Sequence, residues 1–392
     1  MPTQLQSLRI QNFRCLHDVT VPTRGINVLF GPNGIGKTSF LDALWFVRDC
    51  ALRGTDQAAS DRHHGIGVLW DGAAPEDRII ITLETTTGEY TVSFGYSSGR
   101  IEPFVGERFR SKIRPETLVE RAIGSDTAGY FHEQLRHVVQ LKMREPEKLA
   151  FSNYLLLCEP SRETLELDEV LRSVRFYSSR AVDLSRLRKL GSESNQQTFL
   201  FDRWQNLWSA LRNLHDRRVL DDRYDTILGF LRQAFPGSFK DLLFEQIGAD
   251  RVTASFLESN RRRPIPASGV SDGHLQFLGL LLALFGDSPG RYNLALFDEP
   301  EISLHPHAVH VFAEAVKLAA TKFGRQVFLA THSPVLISQF AEADVLVFAA
   351  GVERETRVDA LSDLPQHRDL LDQYPLGSLY MAEEIGRQSL VP

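Results

Sequence analysis

The sequence predicts an α/β protein with a mainly parallel sheet, and three observations lead to this prediction. Short apolar runs, typical of strands buried on both faces, occur at residues 26–30, 294–297 and 327–330. Helical patterns alternate with these runs, as they do in α/β folds. The first run leads directly into a glycine-rich segment with phosphate-binding spacing.

Composition limits the classes of protein to be considered. The chain has 392 residues, with 44 Lys or Arg against 50 Asp or Glu, which gives a net charge of −6. This balance excludes a uniformly basic protein that coats nucleic acid, although it allows a local basic patch. The three cysteines are far apart and form no pattern, so a reducing, cytoplasmic setting is expected. The start has no signal pattern, and the most apolar stretch is about half of the ~20 residues that span a bilayer, so no membrane association is expected.

Residues 1–99 are predicted to form an N-terminal lobe. Leu8 and Ile10 alternate with polar neighbours, which is typical of a half-buried strand. A helix is expected over residues 36–52, directly after the glycine-rich segment. Residues 78–96 have the pattern of a β-hairpin.

Residues 100–265 are predicted to form a mostly helical insertion. Prolines interrupt the first part, and amphipathic stretches without proline follow. Residues 199–214 are expected to form one such helix, with Trp204 and Trp208 at helical spacing, and we interpret both rings as core. The α/β pattern returns in residues 266–392, the predicted C-terminal lobe.

A phosphate-binding loop is the strongest motif. Residues 31–38, GPNGIGKT, match the spacing GxxxxGK[ST] between a predicted strand and a predicted helix. Glycines let the backbone approach a phosphate closely, and N–H groups at the helix N-terminus then face the anion. The Lys37 ammonium would contact the β- and γ-phosphates, and the Thr38 hydroxyl would bind Mg²⁺. The candidate nucleotide-binding residues here are Asn33, Gly34, Gly36, Lys37, Thr38 and Ser39.

Two adjacent carboxylates follow the apolar run at residues 294–297. Phosphoanhydride hydrolysis needs a group that holds the metal and a group that orients water. Asp298 is predicted to hold Mg²⁺, directly or through water, and Glu299 to polarise the attacking water. An isolated pair of this kind is a weak signal, but a pair that accompanies a phosphate loop favours function.

Two further segments are weak signals on their own. Residues 270–274, VSDGH, precede an apolar helix, and Ser271 and Gly273 would offer N–H groups to a second anion. An ordinary helix cap has the same sequence. His332 follows the run at 327–330, where it would donate to the γ-phosphate or merely cap the next element.

The order of these four motifs resembles that of the ATP-binding-cassette type ATPases of the SMC/RecF/OLD branch, and most closely the OLD-like AAA ATPases. The opening LRIQNFR is similar to the start common in that branch. GPNGIGKT is similar to its Walker A motif, SDGH to a variant of its LSGGQ signature, FDEPEISLHP to its Walker B motif and D-loop, and ATHSP to its switch-histidine strand. The resemblance covers about residues 1–50 and 267–335. It implies a P-loop NTPase with an ABC/SMC-type head, in which the insertion separates Walker A from the signature.

In such families two heads bind two ATP molecules between them. The resemblance therefore implies a homodimer or higher homo-oligomer, in which Lys37 and Thr38 of one head face Ser271 and Gly273 of the other. The further roles that it implies are Asp298 as Mg²⁺ ligand, Glu299 as catalytic base, His332 as γ-phosphate sensor, and Asn12 and Arg14 beside the nucleotide.

The chain departs from the family pattern at Asp272 and His274, where the signature has glycine and glutamine. A carboxylate beside a phosphate is unfavourable unless it turns away, so the orientation of Asp272 decides whether trans binding is feasible. The Q-loop glutamine is not identified, and Gln57 and Gln140 are two of several choices.

The leading hypothesis is a cytoplasmic, Mg²⁺-dependent ATPase whose closure around ATP controls a partner protein or DNA. In the resembled families this work is DNA repair, chromosome maintenance or antiphage defence, and we favour defence. OLD-type nucleases carry a Toprim domain after the ATPase. The residues after His332 contain no DxD pair, so a separate effector protein is expected.

Two other functions stay open. The nucleotide-binding subunit of a transporter has similar motifs, but the long separation of Lys37 from Ser271 and the NFR opening are atypical of it. A nucleotide-gated scaffold with little turnover would bind ATP in the same way, and replacement of Glu299 would then leave its turnover unchanged.

Two clusters are weaker candidates. Four cations in residues 108–114 would share one face of a strand and track a DNA backbone, but a solvated strand face is the more ordinary interpretation. Three histidines in residues 305–310 have metal-like spacing without a cysteine or fourth ligand nearby, so a D-loop and helix start is favoured.

Overall fold

The computed structural model describes residues 5–74, 76–237, 239–287, 294–351 and 355–364. The strands are β1 Ser7–Phe13, β2 Leu16–Pro22, β3 Ile26–Phe30, β4 Ile79–Glu84, β5 Gly88–Phe94, β6 Tyr96–Ser97, β7 Arg100–Ile101, β8 Gly106–Ser111, β9 Thr117–Arg121, β10 Thr127–His132, β11 His137–Lys142, β12 Arg175–Ser178, β13 Ser192–Glu193, β14 Phe239–Ile247, β15 Arg251–Glu258, β16 Ile265–Pro266, β17 Leu294–Asp298, β18 Gln326–Thr331, β19 Val345–Ala350 and β20 Thr356–Ala360. The helices are α1 Lys37–Arg53, α2 Thr55–Ser60, α3 Ala150–Leu157, α4 Arg162–Ser173, α5 Leu184–Leu190, α6 Leu207–Asp216, α7 Arg223–Ala234, α8 Asp272–Phe285, α9 Pro306–Lys322 and α10 Pro334–Ile337.

A six-stranded sheet forms the centre of the molecule. Its order is β12, β17, β18, β3, β19, β20, and every pair in it is parallel except β19 with β20. The three apolar runs predicted from the sequence are its adjacent strands β17, β18 and β3. Because the carboxyl ends of parallel strands meet at one edge, the segments that follow these strands lie side by side there.

The central sheet separates two hydrophobic cores. Val28 and Phe30 of β3 face a core that includes residues of α6 to α9, whereas Leu29 faces a core with α1 and the strands of a second sheet. Alternate residues of a strand point to opposite faces, so each buried strand contributes to both cores. This layering confirms the predicted α/β class.

The second sheet corrects the predicted mostly helical insertion. Eight strands lie in the order β11, β10, β9, β8, β5, β4, β1, β2, all antiparallel. The predicted hairpin is β4 and β5, but β8 pairs with β5, so the sheet continues across the expected boundary at residue 100. The prolines at 103, 115 and 146 lie in the connections of this segment rather than marking a change to helix. β9 and β10 show no clear alternation of buried and exposed residues, and β11 is largely exposed, so these strands have little of the pattern that predicts a half-buried strand.

The remainder of residues 100–265 mixes both structures. β12 joins the central sheet beside β17, and β13, β14, β15 and β16 form a small antiparallel sheet. The helix predicted from residue 199 begins only at Leu207, because Trp204 has a left-handed backbone with φ +60. Trp204 and Trp208 are both fully buried, which confirms that they are core residues.

Three of the four cations of residues 108–114 pair with neighbouring acids. Arg108 pairs with Glu120 on β9, and Arg114 pairs with Glu133 and Glu163. The cluster therefore offers a phosphate backbone little unpaired charge, in agreement with a solvated strand face.

The histidines of residues 305–310 mark a helix start. The His305 ring accepts from the His307 N–H at 3.4 Å and caps α9. Across the described ranges, no group of three or more His, Cys, Asp or Glu side chains is arranged to hold a metal ion. Nor does any helix there combine the length and apolar character needed to cross a membrane. The end of the predicted C-terminal lobe, from residue 365, lies outside the described residues.

Candidate functional site

The loop between β3 and α1 adopts a backbone that glycine accepts easily. Gly36 has φ +109, and a Cβ there would lie 2.8 Å from the Cys15 sulfur. α1 begins immediately afterwards at Lys37, so its first N–H groups are available at the loop. Asn33 and Gly34 are exposed at the rim. The local geometry is that of an anion-binding loop.

Lys37 is folded back onto this loop. Its ammonium donates to the Gly31 carbonyl at 2.7 Å and to the Pro32 carbonyl at 2.8 Å, and the residue is 7% exposed. Burial lowers the pKa of Lys37, and the carboxylates that follow β17 oppose this effect. The two carbonyl partners of the ammonium are neutral, so phosphate oxygens can replace them. The charges of the three nearby acids oppose the effect of burial on the pKa of Lys37.

Thr38 and Asp298 form the contact between the phosphate loop and the end of β17. The Thr38 hydroxyl donates to a carboxylate oxygen of Asp298 at 2.8 Å. Burial raises the pKa of Asp298, and the hydrogen bond from Thr38 acts in the opposite direction. One hydroxyl and one carboxylate beside a phosphate site match the donors that Mg²⁺ uses, since this ion takes one or two carboxylates together with substrate phosphates.

Glu299 follows on a left-handed backbone with φ +50. Its N–H donates to the Ala330 carbonyl at 2.9 Å, which fixes the turn against β18. One carboxylate oxygen forms an ion pair with Arg180, and the other lies 3.5 Å from Nδ1 of His332. The structure thus brings Glu299 and His332 together, as the motif order predicts, and holds the carboxylate between a cation and an imidazole.

Two residues of this site were not predicted from the sequence. A carboxylate oxygen of Glu301 accepts from the Thr331 hydroxyl at 2.6 Å, and burial raises the pKa of Glu301. Its position in the acidic run DEPE was a usable signal. Arg180 carries no motif, and only the pairing of β12 with β17 brings it to Glu299.

Ser271 and Gly273 stand at the start of α8. The Ser271 hydroxyl caps the helix and lies 2.7 Å from Nδ1 of His274, whose ring stacks on Phe235 with centroids 3.7 Å apart. Burial lowers the pKa of His274. A Cβ on Gly273 would lie 3.0 Å from the Ser303 carbonyl, so this glycine permits close contact with the segment after β17. Within the described residues, the contacts recorded for Ser271 are with this helix start rather than with the phosphate loop.

The Asp272 carboxylate is compensated within the chain. It forms an ion pair with Arg188 of α5, and Arg188 also donates to the Val270 carbonyl at 2.8 Å. The departure from the glycine of the signature therefore adds no uncompensated negative charge to this surface.

Asn12 lies at the end of β1 and Arg14 in the turn that follows, and both have positive φ. The Asn12 amide donates to the Arg78 carbonyl at 3.0 Å, whereas Arg14 pairs with Asp42 of α1 at 2.7 Å. Arg14 and Thr38 line one cleft of about 1140 Å³. The structure therefore places Arg14 beside the helix of the phosphate loop, while the Asn12 amide is used within the fold.

The remaining candidates are less informative. The Ser39 hydroxyl lies 3.7 Å from the Cys15 sulfur. The Gln57 amide donates to Asp61 at 3.3 Å, and Gln140 lies on the edge strand β11. The Q-loop assignment stays open, and these two residues remain two of several choices.

Comparison with known proteins places this architecture among nucleotide-binding folds. A family model described as "AAA domain, putative AbiEii toxin, Type IV TA system" matches residues 26–338. The chain is 45% identical over 354 residues to the "OLD nuclease" of Thermus scotoductus, across 84% of this chain and 59% of that protein. It is 23% identical over 365 residues to "Endonuclease GajA" of Bacillus cereus, across 85% of this chain and 56% of that protein. The chain thus spans less than two thirds of the length of these relatives.

Among solved structures, an SMC head bound to the C-winged helix domain of ScpA matches with a TM-score of 0.50 and 13% identity. The match covers 91% of this chain and 98% of that chain, and at this identity it concerns the fold alone. Together with the match to the AAA domain family model, it confirms the predicted P-loop NTPase fold. Together with the two longer relatives, it also confirms the resemblance to the SMC/RecF/OLD branch.

Proposed function

The chain belongs to this AAA domain family, and from that premise we propose that it is a Mg²⁺-dependent ATPase. The observation that carries the proposal is the convergence of the phosphate loop and the β17 carboxylates at one edge of the central sheet. Thr38 and Asp298 are in direct contact there, and Glu299 follows at the strand end. Glu299, 14% exposed, adds a second carboxylate beside the Thr38–Asp298 pair, and hydrolysis needs such a group to orient water whereas nucleotide binding does not.

The chemistry follows from the positions of these side chains. Lys37 exchanges its two carbonyl partners for phosphate oxygens. Thr38 and Asp298 would hold Mg²⁺, which would neutralise phosphate charge when bound. Glu299 accepts a proton from the water whose oxygen attacks the γ-phosphorus, while the bond to the β-phosphate oxygen breaks and ADP leaves. His332, next to Glu299, donates to the γ-phosphate.

Phosphate release from ATP tests this proposal directly. We expect the purified chain to release inorganic phosphate from ATP with Mg²⁺ present and to lose at least nine tenths of this activity with excess EDTA, because the Thr38–Asp298 pair needs the ion to engage the triphosphate. Malachite-green detection of the released phosphate measures this activity with and without EDTA. Tight ATP binding with no release above a no-protein control would favour the nucleotide-gated scaffold instead.

We also propose that two copies of the chain bind ATP between their heads. Ser271 is exposed, and the Asp272 charge is already compensated by Arg188, so this surface can approach the triphosphate of a second head. The N–H groups at the start of α8 then face the γ-phosphate. A surface of this kind is expected in transporter subunits as well as in the proposed class of ATPase, so it gives the transporter alternative no support.

Replacement of Ser271 by arginine tests the paired arrangement. We expect Ser271→Arg to leave ATP affinity of the monomer within about twofold, but to remove the ATP-dependent dimer, because the longer side chain fills the contact. Sedimentation velocity with ATP, in chains that also carry Glu299→Gln, measures both species. Ser185→Arg, an exposed serine on α5, is the matched control. A dimer that persists in Ser271→Arg contradicts the trans role.

The biological role that we propose is nucleotide-controlled action on DNA or on a partner protein in the cytoplasm, in antiphage defence or DNA repair. The names of the two relatives, a nuclease and an endonuclease, support a DNA-directed role. That the effector is a separate protein stays a prediction.

A further inference from the structure

The register of two neighbouring strands places Arg180 beside Glu299. β12 runs parallel to β17, with Ser178 opposite Asp298. The turn that follows, Ser179–Ala181, therefore emerges beside the two catalytic carboxylates, and Arg180 pairs with Glu299. The Arg180 side chain is 68% exposed, whereas that of Glu299 is 14% exposed. The cation therefore borders open space in which it can meet another partner, whereas the carboxylate is largely enclosed.

The turn Ser179–Ala181 also contacts α8. The Gln276 amide, 2% exposed, donates to the Ser179 hydroxyl at 2.6 Å. Further along, Arg188 of α5 contacts both Val270 and Asp272. Residues 180–188 therefore contact Glu299 at one end and the start of α8, which carries Ser271, at the other.

We propose that Arg180 senses the γ-phosphate, pairing with Glu299 when no triphosphate is bound and transferring to the γ-phosphate when ATP binds. The inference rests on the proposed ATPase function. While Arg180 pairs with Glu299, its guanidinium occupies the carboxylate oxygen that would otherwise be available to orient the attacking water. The γ-phosphate carries more negative charge than one carboxylate and accepts the guanidinium fork through two oxygens. Transfer of Arg180 thus frees Glu299 only when a triphosphate is in place.

Binding of two nucleotides separates this role from a structural one. We expect Arg180→Ala to weaken binding of the non-hydrolysable analogue AMP-PNP by about tenfold or more, the usual cost of a lost charged hydrogen bond, and to change ADP binding by less than about twofold. Arg180→Lys, which keeps the charge but loses the fork, should recover part of the affinity. Isothermal titration calorimetry measures both nucleotides. Equal weakening of AMP-PNP and ADP, or no weakening, overturns the proposal.

A double-mutant cycle tests the exchange of partners. Glu299→Gln removes the charge that competes with the γ-phosphate for Arg180, so we expect it to tighten AMP-PNP binding several-fold. This gain should disappear when Arg180 is already alanine. If Glu299→Gln gives the same gain in both backgrounds, Arg180 and Glu299 are not coupled and the proposal fails.

Two controls keep the outcomes distinct. Arg186→Ala, an exposed arginine on α5, should leave both affinities unchanged, and thermal melting checks that each variant is folded. If Lys37→Ala also leaves AMP-PNP binding intact, the nucleotide site itself is misplaced and the proposed function fails. If only Arg180→Ala has no effect, the ATPase proposal stands and the sensor role alone is wrong.

Discussion

Replacement of Lys37 by alanine is expected to weaken ATP binding by about 100-fold or more, equivalent to about 3 kcal/mol. The substitution removes the ammonium that faces the phosphates. It also leaves Asp298, Glu299 and Glu301 without the cation that their negative charges surround. The triphosphate then meets uncompensated carboxylates, so repulsion adds to the lost contact. Isothermal titration calorimetry with Mg²⁺–ATP measures the change.

The control for this prediction is Lys189→Ala, an exposed lysine at the end of α5. It should bind ATP as the unchanged chain does. Lys37→Ala also removes two hydrogen bonds within the loop, so a thermal melt must show that the variant is folded. Undiminished ATP affinity in a folded Lys37→Ala chain would exclude residues 31–38 as the phosphate-binding loop.

Replacement of Glu299 by glutamine is expected to lower the rate of ATP hydrolysis by about 10²- to 10⁴-fold, the usual contribution of a general base. Gln has nearly the same shape and the same tolerance of a left-handed backbone, so the turn at Glu299 and its N–H bond to Ala330 should persist. ATP affinity should be equal or greater, because Arg180 loses its charged partner. Steady-state phosphate release and calorimetry on one preparation measure both quantities.

Asp363→Asn, in a turn remote from this edge of the sheet, is a matched carboxylate-to-amide control and should retain full activity. Two outcomes contradict the role of Glu299. One is a turnover rate equal to that of the unchanged chain. The other is equally negligible turnover in both chains while both bind ATP, which would identify a nucleotide-gated scaffold.

Residue patterns of short range allowed part of this site to be predicted. The phosphate loop, the buried strands β3, β17 and β18, and the carboxylates after β17 were all identified from local sequence. Each depends on a nearby spacing: glycines that permit an unusual backbone, apolar runs that need burial on both faces, and acids at a strand end. The side chains of Lys37, Thr38 and Asp298 lie where such spacing places them.

The strands of residues 106–142 could not be predicted in the same way. Each is short, and β11 is largely exposed, so its sequence contains little of the alternation that marks a half-buried strand. What stabilises these strands is pairing with neighbours, and β8 pairs with β5, which is predicted separately as a hairpin. Pairing of this kind depends on the partner rather than on the strand alone.

The sequence by itself therefore determined the position of the predicted phosphate loop and the α/β core, because both depend on residues close together along the chain. Only the tertiary structure decided that Arg180 meets Glu299, that Glu301 is buried against Thr331, and that Arg188 compensates Asp272. Each of these contacts joins segments that are distant in sequence. The order of strands in the central sheet and the packing of α5 beside α8 bring them together, and no local spacing encodes that order.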